Sequence, residues 1–202
     1  MTVAVTRKEL KRTQILNAAT QLFVEQGYAN ISMDTIAKVA EVSKQTVYSH
    51  FGSKEELFAA SIKQKCDSYQ MLDLSVEHID DPFDFLLNLA RKFVCLVTSE
   101  AAVAVHKICA YESTTYPQLS ELFYQAAPER ICNDVASLME RLTKEGHLNI
   151  TDFRFAALQF LNIVKGEICM QVEFNVQQRA SAEEIEKYLV SSVQLFIRGY
   201  SK

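Results

Sequence analysis

Residues 32–58, "SMDTIAKVAEVSKQTVYSHFGSKEELF", open a helix three times within 27 residues. Ser32, Ser43 and Ser53 each precede a helical pattern, and a serine hydroxyl there accepts a bond from a backbone N–H that the first turn leaves free. Ser53 is followed three residues into its helix by Glu56, the spacing of a capping box. The first of the three helices buries Met33, Ile36, Ala37 and Ala40. The second buries Val47 and Phe51 and stops at Gly52. Both are two turns long, too short to hold alone in water. They must pack on a longer neighbour, and the pattern predicts one from about Lys8 to Gln26. There Ile15, Leu16, Ala19, Leu22 and Phe23 share a face, and Gly27 suits the helix end. Arg7, Lys8, Lys11 and Arg12 at its start read as a solvated basic first turn.

Two short helices meeting at Ala40 to Val42 and packed on a third make a helix-turn-helix. Packing through Ile36, Ala37, Val42 and Val47 leaves one face of the second short helix outside. It carries Lys44, Gln45, Thr46, Ser49 and His50, with Tyr48 beside them. Such donors and acceptors on short or medium stems suit base edges and phosphates in a major groove.

The charge distribution agrees with that reading. The whole chain has a net charge of -4, but residues 1–65 carry 9 Lys and Arg against 6 Asp and Glu. A net of +3 at the head stands against -7 over the remaining 137 residues. Five glycines and three prolines in 202 residues, with 49% hydrophobic content, fit an all-α chain with an ample core. No apolar run reaches the roughly 18 residues of a membrane span. The N-terminal "MTVAVTRKELKRTQ" lacks a signal-peptide core, so the expectation is a cytoplasmic protein with no membrane partner. The five cysteines, 66, 95, 109, 132 and 169, form no CxxC pair and are expected to be reduced, mostly buried thiols.

The order of residues is more specific than the pattern. Ile15–Leu16, Ala18–Ala19, Leu22–Phe23, Gly27–Tyr28, Ile36–Ala37, Val42–Ser43, Val47–Tyr48, His50–Phe51 and Lys54–Glu55–Glu56–Leu57 together resemble the TetR family of transcriptional regulators. The likeness covers about residues 9–69. It implies an N-terminal helix-turn-helix domain over 9–69, then a helical ligand-binding and dimerisation domain over 70–202. Contact roles follow from it: Ser32 and Thr35 on phosphates; Lys44, Gln45 and Thr46 toward bases, with Ser43 at the head of their helix; Tyr48, His50 and Lys54 on phosphates. Glu41 stands where the family often has glycine, and a non-glycine residue in a left-handed turn costs roughly 1 kcal/mol.

Beyond residue 70 the helices are long. Asp81–Pro82 reads as a cap and first helical residue, and Pro128 as the opening of another helix. Residues 153–164 and 185–200 are apolar on more than one side. One stripe can serve the chain's own core, and the other calls for a partner. The resemblance implies a homodimer through these last two long helices, with Phe160, Val164, Leu189, Val193 and Phe196 as the expected seam. It also implies a small-molecule effector, mostly apolar. Tyr69, Phe93, His106, Cys109, Tyr111, Tyr124, Phe160 and Glu167 are the candidate lining.

No HExxH, glycine-rich phosphate loop, GxSxG or Glu-x-x-His motif occurs, and the four histidines are far apart. No catalytic residue, metal or cofactor is therefore assigned. The reading is a ligand-responsive repressor that binds a near-palindromic double-stranded operator. The alternatives are a DNA-binding regulator without an effector and a small helical enzyme.

Overall fold

A computed structural model describes residues 6–70 and 78–201. The described chain is helical, in the order α1 (Arg7–Gln26), α2 (Met33–Val39), α3 (Lys44–His50), α4 (Lys54–Ser68), α5 (Pro82–Val97), α6 (Glu100–Tyr111), α7 (Pro117–Tyr124), α8 (Arg130–Lys144), α9 (Phe153–Glu173) and α10 (Ala182–Tyr200). No single described helix is long and apolar enough to cross a membrane. Two compact units emerge. The first holds the chain up to Lys65 and residues 104–127. The second holds 66–103 and 128 onward.

In the first unit the serine caps act as their positions require. Ser32 accepts from the backbone N–H of Thr35 and Ser43 from that of Thr46, each at 3.1 Å. At α4, Ser53 Oγ accepts from Glu56 N, while the Glu56 carboxylate reaches one residue further back than in a standard box, to Gly52 N at 3.1 Å. Thr6 and Glu9 box the start of α1. Ile15, Leu16, Leu22, Phe23, Ile36, Val47, Leu57 and Phe58 fill the interior. Phe23, Tyr28 and Phe58 meet as three rings with centroids 5.2–5.6 Å apart, Phe58 edge-on to the other two and Phe23 stacked on Tyr28, the two arrangements that aromatic pairs favour. Glu41 adopts the left-handed conformation, φ 51, and the chain turns there with Val42 N donating to Ala37 O at 3.0 Å. Later in this unit, Ser120 Oγ of α7 donates to Cys109 O of α6 at 2.7 Å.

In the second unit α9 touches α5, α8 and α10, and α10 also packs on α5. The interior is built from Leu86, Leu89 and Phe93 of α5, Val135, Met139 and Leu142 of α8, Ala157, Phe160 and Val164 of α9, and Leu189, Val193 and Phe196 of α10. Phe160 and Phe196 meet edge to face at 5.2 Å. Arg91 of α5 donates through Nε and Nη2 to the two carboxylate oxygens of Glu186 of α10.

This interior corrects the expected dimer seam. Phe160, Val164, Leu189, Val193 and Phe196 are all buried inside the protomer, at 0–3% exposure. The stripe that serves the chain's own core is the one containing them. The large apolar side chains that α9 and α10 leave outside are Phe155, Leu158 and Met170 on one helix and Tyr188 and Leu195 on the other.

Two further details depart from the sequence pattern. Pro128 does not open α8. It sits in a π-helical turn, Gln125–Glu129, that joins α7 to α8. And α9 is broken at Gly166, whose φ of 53 and ψ of -163 are not helical. Tyr188 of α10 lies against that break, and its hydroxyl donates to Ile163 O at 2.7 Å.

Candidate nucleic-acid interface

α3 is held by one buried side chain, Val47, with Phe51 buried at its C-cap. Everything else on the helix is free to face outward. Lys44, Gln45, Tyr48 and Ser49 are exposed, and Thr46 and His50 are half-buried. The hydroxyls at the helix heads are partly engaged: Ser32 Oγ and Thr35 Oγ1 are 2.9 Å apart, and Ser43 Oγ and Thr46 Oγ1 are 2.7 Å apart. Ser32 and Ser43 also carry their cap bonds, and each of the four hydroxyls keeps acceptor capacity beyond the bonds named.

Lys44 is not alone. Its ammonium is 2.7 Å from the Asp34 carboxylate on the first turn of α2, and 5.9 Å from the centre of the Tyr48 ring. The hydrogen bond and charge of Asp34 raise the Lys44 pKa above its ordinary value. Asp34 is a residue the sequence pattern did not single out. The signal was present in principle, because a helix-turn-helix brings the heads of its two helices together. Only the folded turn shows that this carboxylate meets the outer face of α3.

Lys54, at the head of α4, lies with Nζ 4.2 Å from the Tyr28 ring centroid. Burial lowers its pKa, against a smaller opposing effect of Glu55. The Tyr28 hydroxyl donates to Glu55 Oε1 at 2.8 Å, and burial raises the phenol's pKa, with Glu55 adding to the shift. Lys54 is thus a half-buried cation fixed by a ring, presented at a helix N-terminus. His50 has its pKa lowered, first by burial and then by the positive charges of Lys8, Arg12 and Lys11. At neutral pH it offers ring donors and acceptors and no charge.

The expected effector residues scatter. Phe93 and Phe160 lie in the interior of the second unit. Cys109 is buried in the first, where burial pushes its thiol up to about 12. Tyr69 is half-buried. His106 is exposed, with its ring 6.0 Å from that of Phe123. Tyr111 is 88% exposed, and Tyr124 and Glu167 are also exposed. These surface positions line no interior, so Glu167 does not supply a buried polar anchor. Cys66, Cys132 and Cys169 are likewise buried with raised pKa values, and Cys95 is exposed. The buried thiols are protonated, inert hydrophobes.

Comparison with known proteins supports the same assignment along the whole chain. Residues 15–61 match the family model for bacterial regulatory proteins of the tetR family, and residues 84–202 match that of the AefR-like transcriptional repressor C-terminal domain. The chain is 33% identical over 107 residues to the HTH-type transcriptional regulator HbdR of Aromatoleum sp. (strain CIB), and 43% identical over 61 residues to the transcriptional activator FasR of Mycolicibacterium smegmatis. The matches cover 52% and 30% of this chain but only 45% and 28% of those proteins. Among solved structures, a TetR-family regulator from Mesorhizobium loti superposes with a TM-score of 0.80 at 29% identity, covering 98% of this chain and 100% of the other. The flavonoid-responsive regulator FrrA superposes with a TM-score of 0.74 at 34% identity, covering 95% and 97%. The relatives are named as regulators rather than enzymes. With both halves matched and the helix-turn-helix in place, the chain belongs to the TetR family of bacterial transcriptional regulators.

Proposed function

We propose that this chain is a homodimeric, sequence-specific DNA-binding repressor that leaves its operator when a mostly apolar small molecule binds. The observation that carries the DNA reading is α3 itself. A seven-residue helix anchored by Val47 presents Lys44, Gln45, Tyr48 and Ser49 outward. Base reading belongs to Lys44, Gln45 and Thr46. Phosphate contact belongs to Ser32, Thr35, Tyr48, His50 and Lys54, with Ser43 fixing the helix head.

The dimer is made through the outer faces of α9 and α10, with Phe155, Leu158 and Leu195 at its centre. With Met170 and Tyr188 they are the large apolar side chains that these two adjacent helices expose, and such a patch has the character of an interface core. A two-fold dimer places two α3 helices on one face of the duplex. Its operator is therefore a near-palindrome with half-sites about 34–36 Å apart, or a multiple of that. For the effector, the support is the C-terminal match to a repressor domain and the flavonoid response in the name of FrrA. The apolar interior around Phe93 and Phe160 is where such a ligand would be held.

The test has two stages. Duplexes selected from a random-sequence pool by the wild-type protein should converge on a two-fold-symmetric site. A panel of flavonoids and other apolar compounds, screened by thermal shift, should then contain a binder that releases that site. A pool that never converges would refute the DNA reading. Convergence with binders that never alter DNA affinity would leave a regulator without an effector.

A further inference from the structure

We propose that Lys8, Lys11 and Arg12 of α1 form a second phosphate-binding edge of the DNA interface, beside the C-terminal end of α3. This rests on the reading of the chain as a DNA-binding regulator and adds an element to its contact surface.

The face on which these residues lie is the first argument. Lys8 is two turns ahead of Ile15, Lys11 is one turn ahead of it, and Arg12 is one turn ahead of Leu16. At 3.6 residues per turn they continue the same stripe. Ile15 and Leu16 are 0% and 1% exposed. The cations therefore occupy the inward-facing stripe of α1, at the point where the helix runs past the end of the core it covers.

Anchorage is the second. The Arg12 guanidinium carbon lies 4.9 Å from the centre of the Phe51 ring, at the C-cap of α3, and the His50 ring lies 6.1 Å from that of Phe51. A guanidinium over an aromatic face is held in place yet keeps its edge donors free. None of the three cations is ion-paired with a carboxylate among the described residues. Glu9, the one carboxylate between them, accepts from Thr6 N at 2.7 Å and is spent on the helix cap.

The third concerns what α3 lacks at this end. Its seven residues span about 10 Å, against a major groove about 12 Å wide. Both ends of so short a helix come near a phosphate wall. Its own tail carries only His50, whose pKa burial and the same three cations lower. Lys54, at the head of α4, supplies one cation beyond that tail, and α1 adds to it through Arg12 over Phe51 and the two lysines ahead of it.

The experiment compares Lys8→Gln/Lys11→Gln with Lys144→Gln/Lys187→Gln, a charge-matched pair from α8 and α10. Each is titrated on a 30-base-pair duplex selected by the wild type and on a scrambled duplex, across a salt series. A phosphate contact contributes about 0.9 to the slope of log K against log salt, so the α1 pair should flatten it by about 1.8 per protomer. Because that contribution vanishes near 1 M, binding should be about 30-fold weaker per protomer at 0.15 M, equally on both duplexes. The control pair should match wild type. An unchanged slope in a variant that still selects the same duplex overturns the proposal. Failure of the wild type to select any duplex would instead refute the DNA reading itself.

Discussion

Glu41 turns the chain between α2 and α3 in a conformation that a Cβ makes costly, with φ 51. The cost is of the order of 1–2 kcal/mol per residue, partly offset because glycine has more freedom to lose on folding. Glu41→Gly should therefore raise stability by up to about 1 kcal/mol, read as a higher urea midpoint at unchanged m. A lower midpoint would mean that the Glu41 side chain has a stabilising role its exposure does not suggest. Asp34 raises a different question at the same scale. An exposed carboxylate 2.7 Å from Lys44 offsets part of the lysine's charge and repels phosphates. Asp34→Asn should tighten binding to scrambled duplex while weakening discrimination between operator and scrambled DNA, because Lys44 loses its fixed aim. Lys44→Ala should reduce discrimination by about 1–3 kcal/mol. Equal effects of Asp34→Asn on both duplexes would remove Asp34 from any part in specificity.

At the scale of elements, the short helices were legible because their signals are local. A serine cap, a buried valine and a glycine stop do not depend on distant contacts, and α2 to α4 begin where the serines place them. The long helices were legible in extent but not in orientation. When α9 and α10 are apolar on two sides, periodicity reports two stripes and cannot say which faces the chain's own core. Phe160 and Val193 turned out to be inside, and Phe155 and Leu195 outside. The difference is testable. Leu195→Lys, at a 61% exposed position, should fold and sediment as a monomer. Val193→Lys, fully buried, should lose cooperative unfolding altogether because it buries a charge without a partner. A folded Leu195→Lys dimer would place the interface elsewhere. Gly166 was equally invisible as a break, since an isolated glycine is tolerated in a helical pattern. A Cβ there would come within 2.6 Å of Tyr188 Cε1, on a backbone with φ 53. Gly166→Ala should cost about 1–3 kcal/mol, the range of overpacked sites, and a change under about 0.5 kcal/mol would show that α9 can straighten and Tyr188 withdraw.

For the whole molecule, the proposed control requires that a ligand in one unit alter a helix of the other, and α4 is one of the helices shared by both, as α6 is. It runs unbroken from Lys54 to Ser68, and its last turn, from Cys66, already belongs to the second unit. There Asp67 accepts from Arg130 of α8 at 2.7 Å, and the carbonyl of Gln70, just past the helix, accepts from Lys92 of α5 at 2.7 Å. Hydrogen bonding to Asp67 raises the Arg130 pKa against the opposing effect of burial, so this cation stays charged. Two helices of the proposed effector domain thus hold the end of the helix whose other end carries Lys54. A ligand shifts DNA affinity only if it binds one arrangement of these helices better than the other. Couplings of this kind are typically 1–3 kcal/mol, a 5–150-fold change in affinity. Arg130→Ala should leave ligand affinity nearly intact in the absence of DNA. It should shrink the ligand-induced loss of DNA binding, because the shift in the second unit no longer reaches α4 through this bond. The measurement is a thermodynamic square, with DNA affinity with and without ligand and ligand affinity with and without DNA, in wild type and variant. By reciprocity both edges of the square must fall by the same factor. A variant that keeps the full wild-type coupling would show that the signal does not pass through Arg130 and Asp67.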